Sequence, residues 1–321
     1  MQTVLHLPRG PLDHHLGESP LIIHTLDLNF LDTPHAIAAY LIAGPEGPVL
    51  VETGPGSTRE NLAARLAEQG YAPADIRHVL VTHIHLDHAG AAGWLAQHGA
   101  QIYVHQVGAP HLVDPSKLLN SARRIYGDLM DTLWGETLPV PDGRVTPLTD
   151  RQTIHVAGLT FTALDSPGHA YHHHTFRLGN IAFAGDAAGI RRPGHSLIFL
   201  PSPPPEFDLE AWQRSLARLS GENFETIYPT HFGRIDDVRE HLKKFNALLD
   251  EAAEFVRIRM QAGAKRDDIV QQYVDWNRER AKAEGISSEV FQKYEVTNPL
   301  FMSVDGMLRY WRKTSPSVFG L

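Results

Sequence analysis

Val79-Leu-Val-Thr-His-Ile-His-Leu-Asp-His-Ala-Gly90 places four strong metal ligands, His83, His85, Asp87 and His88, within six residues. The apolar run before them is short, β-branched and bounded by a turn signal, the pattern of a buried strand. If the chain stays extended past Thr82, His83 and His85 point to one side, because strand side chains repeat every two residues. Gly90 then lets the chain turn away. One strand end thus aims two imidazoles at one point, with Asp87 and His88 beside them for a second. Two histidines on a solvated strand face give the same His-x-His pattern. A buried strand end, however, does not cheaply leave four polar groups unpaired. The missing ligands must come from the rest of the chain.

A chain of 321 residues allows a large core, as one domain or a domain with an appendage. No apolar run approaches the roughly 20 residues of a membrane helix, and MQTVLHLPRG lacks the basic-then-apolar pattern of a signal peptide. With no cysteine, any metal must sit on nitrogen and oxygen ligands, and a cytoplasmic location fits. Residues 241–321 carry 13 Lys+Arg against 11 Asp+Glu, net +2, so residues 1–240 hold 16 against 26, net −10. An acidic body argues against a nucleic-acid partner, whose binding needs basic surface. With 20 histidines in the chain, each one singled out needs a reason beyond its type.

Read in order, strands are expected at 21–28, 36–43 and 48–51, then a helix from Ser57 or Thr58 to about Gln69 stopped by Gly70. The Val79 strand, a helix over 91–97 and a strand at 101–105 follow. Residues 107–145 break the rhythm and read as a helical insertion of the kind that shapes a pocket mouth. Strands are then expected at 152–156, 159–164, 175–178, 181–184 and 224–228, with helices over 209–219 and 236–260. Past Gly263 only charged helices follow, which puts a boundary near 262 between a first domain, 1–262, and a helical extension, 263–321. The twofold alternation suggests two sheets covered by helices.

Three later sites share the grammar of the first, a strand delivering a polar residue into a Gly/Pro turn: Leu164-Asp-Ser-Pro-Gly-His169, Phe183-Ala-Gly-Asp186 and Ile227-Tyr-Pro-Thr-His231. A lone Asp at a strand end is more often a turn cap. Together the three supply what a two-metal site needs, three ligands per ion and a bridging carboxylate.

Thr82-His-Ile-His-Leu-Asp-His88 followed by His169, Asp186 and His231 resembles the HxHxDH…H…D…H signature of the metallo-β-lactamase superfamily. The resemblance covers residues 22–260 and implies an α+β fold, a four-layer αββα sandwich with metals at the edge between two sheets. It puts one ion on His83, His85 and His169, the other on Asp87, His88 and His231, and Asp186 between them. Glu52-Thr-Gly54 stands where the family often shows Asp-Thr-Gly, a position that supports the ligands from behind, as would Thr82. Pro167-Gly-His-Ala-Tyr-His-His-His174 is similar to the lactonase-like and glyoxalase-II-like branch, in which His173 takes a supporting role and His172 and His174 alternate outward or cap the turn. The lactonase tyrosine three residues after the bridging aspartate is here Gly189, and Arg257 and Arg259 read as a solvated helix face rather than a glutathione site.

The function expected is metal-dependent hydrolysis of an ester, lactone or thioester small-molecule substrate. Two divalent ions, zinc foremost with iron or manganese as alternatives, would activate water, and Asp87 would anchor the nucleophile and relay its proton. Phe30, Leu31 and the Ile198–Pro205 loop are the expected apolar rim. One rival is a persulfide-dioxygenase-like enzyme with one iron on His83, His169 and Asp186; another is a non-catalytic binding scaffold. No membrane partner is expected, and the C-terminal helices offer a homodimer surface.

Overall fold

The apolar runs of the first half pair into one sheet and those of the second half into another, in a computed structural model that describes residues 2–5 and 21–314. The first sheet holds β1 (Gln2–Leu5), β2 (Leu21–Asp27), β3 (Ala38–Gly44), β4 (Gly47–Val51), β5 (His78–Leu80), β6 (Gln101–His105) and β7 (Val145–Leu148), in that spatial order. Pairs β1 to β4 are antiparallel, while β4–β5, β5–β6 and β6–β7 are parallel. The second sheet runs in the order β12, β11, β10, β9, β8, built from β8 (Thr153–Val156), β9 (Leu159–Asp165), β10 (His174–Leu178), β11 (Ile181–Gly185) and β12 (Thr226–Pro229).

The central strands β3, β4, β5, β11 and β12 are buried on both faces over most of their length, which is why they read as continuous apolar runs. Tyr40, Ile42, Val49 and Leu80 meet Phe161, Phe176, Phe183 and Tyr228 between the sheets. The opposite face of the first sheet, with Leu41, Leu50 and Val79, packs against α1 (Arg59–Glu68), the short α2 (Leu86–Ala89) and α3 (Ala92–Gln97). The insertion's helices α4 (Ala109–Val113), α5 (Ser116–Tyr126) and α6 (Met130–Leu133) join the same core. Ala182, Ala184 and Ile227 turn the other way, against α7 (Leu209–Gly221) and α8 (Val238–Gln261). The result is the expected αββα sandwich. At roughly 1.5–3 kcal/mol for each large side chain buried, these three cores dominate its stability.

The expected boundary near 262 falls on the turn between α8 and α9 (Arg266–Ala283), but the core does not stop there. Tyr273, Phe291, Val304 and Met307, from α9, α10 (Ser288–Thr297) and α11 (Leu300–Thr314), belong to the same cluster as Trp212 and Phe245. Residues 315–321 of the predicted extension lie outside the described residues. Among those described, no helix is long and apolar enough to cross a membrane.

Three local expectations need correction. The Val79 strand ends at Leu80 and does not run extended to His85, because Glu52 and not a ladder partner takes the Thr82 N–H, and a helical turn starts at Leu86. The 107–145 insertion returns as β7, an edge strand short enough to tolerate Pro147 and too short to show a period. Ile198, Phe199 and Leu200 are core residues rather than a rim.

Candidate metal centre

Four chain segments end at one edge of the sandwich: the loop after β5, the β9–β10 connection, and the turns after β11 and β12. Backbone hydrogen bonds lock the two sheets together there, Ala38 N to Thr230 O at 2.9 Å and His174 N to Thr82 O at 2.7 Å. Gly185 opens the β11 turn at φ +51°, where a Cβ would fall 2.4 Å from Thr82 Oγ1 and 2.6 Å from His173 Nε2. Only glycine fits so close an approach.

These segments bring all seven predicted ligands together. His85 Nδ1 lies 3.0 Å from His83 Nε2 and 2.8 Å from His169 Nε2. Asp87 Oδ2 lies 3.5 Å from His88 Nε2 and 3.3 Å from His231 Nε2. Asp186 stands between the two groups: Oδ2 is 3.4 Å from His169 Nε2, while Oδ1 is 3.3 Å from His88 Nε2 and 3.4 Å from His231 Nε2.

The outer nitrogens fix the tautomers. Nδ1 of His169 faces the Pro201 carbonyl and Nδ1 of His231 the Ala36 carbonyl, both at 2.7 Å, so each must carry the proton. Nδ1 of His88 donates to Glu52 Oε1 at 3.1 Å. Nδ1 of His83 donates to Thr82 Oγ1, also at 3.1 Å, and that hydroxyl in turn donates to Glu52 Oε1. In their neutral forms all four rings therefore turn a bare Nε2 lone pair toward the centre. His88 Nε2 and Asp186 Oδ1 have no hydrogen-bond partner although both are buried. Bare lone pairs packed together at this range repel unless a cation sits among them, and that is the donor set a divalent ion takes.

Electrostatics divides the cluster. Burial, then the neighbouring imidazoles, push His83 well below its ordinary pKa and His85 down to about 3, which leaves both neutral and free to coordinate. Burial acts the same way on His88 and His231, but the carboxylates of Asp87 and Asp186 outweigh it and raise both. Burial pushes the Asp186 carboxyl up, yet His88, His231 and His169 hold it below the usual range.

Glu52, Thr82 and His173 lie against the predicted ligands. Glu52 also accepts Thr230 Oγ1 at 2.9 Å. His173 accepts the Asp186 N–H at its Nε2, 3.1 Å away, and pairs with Ser166 at its Nδ1. His172 and His174, however, do not face outward: both are buried. His172 Nε2 meets Glu206 at 3.1 Å and His174 Nε2 meets Asp165 at 2.8 Å. Residues 166–173 form a turn, so the alternation of β10 does not extend back through them.

The cluster floors a cleft of about 350 Å³. The insertion supplies one wall, with Leu118, Tyr126 and Trp134, and Pro203–Pro205 and Met302 the other; Phe30 joins the lining and Leu31 does not. At Gly189, where the lactonase pattern has tyrosine, φ is +71° and Phe245 lies 2.6 Å from where a Cβ would be, so no side chain fits on this backbone.

The sequence profile of the metallo-beta-lactamase superfamily matches residues 32–231. The chain belongs to that superfamily. A structure of a metallo-beta-lactamase family protein from Thermus thermophilus superposes with a TM-score of 0.64 at 24% identity, over 91% of this chain and 93% of that one. Lactamase-like protein adaB of Aspergillus niger is 30% identical over 210 residues, 64% of this chain but only 53% of its own. An atrochrysone carboxyl ACP thioesterase of Pseudocercospora fijiensis is 24% identical over 322 residues, 95% of this chain and 83% of that protein.

The turn that carries Asp186 is held through its backbone. Trp212 Nε1 donates to Ala187 O at 3.0 Å and His241 Nε2 to Ala188 O at 2.7 Å. Burial lowers the His241 pKa to about 4. The unfolded chain takes up this proton near pH 6.5 and the folded one only near 4. The buried neutral ring thus contributes fully above pH 6.5, and that contribution is lost as pH falls toward 4. The shift corresponds to about 3 kcal/mol. Chemical denaturation of His241→Gln at pH 7 and pH 4.5 should show a shallower acid loss than the parent; equal pH slopes contradict this role.

Proposed function

We propose that the chain is a hydrolase that works with two divalent ions, one held by His83, His85 and His169, the other by Asp87, His88 and His231, with Asp186 shared. The observation that carries this is the set of four imidazoles whose tautomers are fixed from outside, each presenting a bare Nε2 inward. Ions bound there would supply Lewis acidity toward a carbonyl and make water a nucleophile near neutral pH. Zinc suits such a nitrogen-rich set, and iron or manganese also accepts it.

The chain's own groups do the rest. Asp87 is the carboxylate on the open side, its side chain 20% exposed against 3% for Asp186. In this reading its carboxylate takes the proton of the attacking water and returns it to the leaving oxygen or sulfur. The aromatic and aliphatic wall excludes water from one side of the carbonyl and holds an apolar acyl group by burial. Lys117 is the one Lys or Arg among the described lining residues, which favours a largely uncharged acyl part. An acyl thioester fits these properties, and the thioesterase name of the relative from Pseudocercospora fijiensis points the same way.

The test is metal-defined protein on a panel of esters, lactones and thioesters. The expected result is two ions per chain and hydrolysis that chelation removes and metal restores, fastest for apolar acyl thioesters. One iron per chain with oxygen consumption on a persulfide, or no turnover at any metal loading, rejects this reading.

A further inference from the structure

Each inward-facing imidazole has its outer nitrogen tied to a fixed acceptor, with one exception. His83, His88, His169 and His231 reach theirs within 3.1 Å. His85 alone turns Nδ1 inward, so its Nε2 must carry the proton and point away from the centre. Among the described residues, Glu206 is the carboxylate within ion-pair reach of that nitrogen, with Oε2 4.0 Å away.

The same oxygen lies 3.1 Å from His172 Nε2. The Ile84 N–H approaches His172 Nδ1 at 3.5 Å, which leaves the His172 proton on Nε2, facing Glu206. His85, His172 and Glu206 therefore form two N–H donors around one carboxylate, and not a third cation site, whose nitrogens would have to be bare. The contact with His172 is off the hydrogen-bond axis, and Glu206 Oε2 is buried with no aligned partner. Turning Oε2 onto the His85 N–H, about 1 Å closer than it stands, exchanges a poorly aligned contact with His172 for an aligned one.

The backbone before Glu206 is held firmly enough for such a role. It follows Pro203-Pro204-Pro205 on a loop that the C-terminal helices grip. Ser303 Oγ and Asn298 Nδ2 donate to Leu200 O at 2.6 and 3.2 Å, and Tyr294 donates to Leu197 O at 2.8 Å. The next carbonyl along, Pro201 O, receives His169 Nδ1. One loop thereby reaches the outer nitrogens of two imidazoles in the group with His83.

We propose that Glu206 is the positioning carboxylate of His85, set by the C-terminal helices to orient that imidazole and raise its basicity toward the ion it shares with His83 and His169. The proposal rests on the two-ion reading above. Carboxylates behind metal-bound histidines act in this way, and their loss typically weakens metal binding about 10–100-fold.

The experiment is zinc titration of the full chain and Glu206→Gln against a chromophoric chelator, with cobalt(II) absorption spectra and melting curves of the ion-free proteins. The expected result is one of the two zinc affinities weakened about 10–100-fold, the other changed by less than about threefold. The cobalt spectrum should shift and the ion-free melting temperature should stay within about 2 °C of the parent. Two unaltered affinities overturn the proposal. A lower melting temperature with both affinities weakened alike also overturns it, in favour of a purely structural pairing with His172. If the parent itself binds no zinc, the two-ion reading fails instead, and the titration of the parent alone reveals that.

Discussion

Asp186→Asn should lower the metal content from two ions per chain to one or none while the fold survives. The two oxygens of Asp186 face different partners, Oδ2 toward His169 and Oδ1 toward His88 and His231. An amide keeps one acceptor and turns N–H groups toward the other side, where an ion would have to bind. It also removes the negative charge that helps offset two cations. Hydrolysis should fall about 10³-fold or more, equivalent to roughly 4 kcal/mol of lost transition-state stabilisation. The turn should persist, because its ties are made by backbone atoms: Asp186 N to His173, Ala187 O to Trp212 and Ala188 O to His241. Metal analysis with circular dichroism checks both halves. A folded variant that still carries two ions would remove Asp186 from the bridging position.

The candidate ligand set is legible in the sequence because its members sit where apolar strands run into glycine, proline or a helical turn. The strands that deliver His83, Asp186 and His231 are buried on both faces, and a polar residue at their ends stands out. His172 and Glu206 carry no such mark. One lies in a turn, where strand alternation gives no direction; the other follows three prolines in a loop whose course depends on helices about 100 residues further on. His174 illustrates a different failure. It opens β10 in register with Asp165, and reading it from its neighbour His173 sends it outward, whereas alternation within β10 puts it on the face of Phe176 and Leu178, between the sheets. Its ring accordingly meets that of His105 from the other sheet, centroids 4.4 Å apart. The C-terminal helices are visible as amphipathic stretches, yet the face they cover is not. They complete the core around α8 and grip the loop beside the candidate centre.

Glu52→Gln should be the most destabilising single-atom exchange near the site. Glu52 is 1% exposed and sits at φ +66°, just past the end of β4. Its Oε1 accepts Thr82 Oγ1 at 2.5 Å, His88 Nδ1 at 3.1 Å and Thr230 Oγ1 at 2.9 Å, and its Oε2 accepts the Thr82 N–H at 3.2 Å. Every partner donates, so an amide nitrogen meets a donor whichever way it is turned. Leaving a buried donor without an acceptor in a charged network costs about 3–5 kcal/mol. The loss should appear in urea denaturation of the ion-free protein as a lower midpoint at unchanged slope. Metal binding should weaken as well, because His88 Nδ1 and the Thr82 hydroxyl exchange a charged acceptor for a neutral one, or lose it where the amide nitrogen takes the Oε1 position. Glu52→Asp tests reach separately from charge. A side chain one methylene shorter, on the same backbone, retains the acceptors but falls short of some of the four donors, so its loss should lie between the parent and Glu52→Gln. If Glu52→Gln instead unfolds at the parental midpoint, the hydrogen bonds that join the end of β4 to the ends of β5 and β12 contribute nothing net. The tautomer of His88 must then be set by something other than this carboxylate.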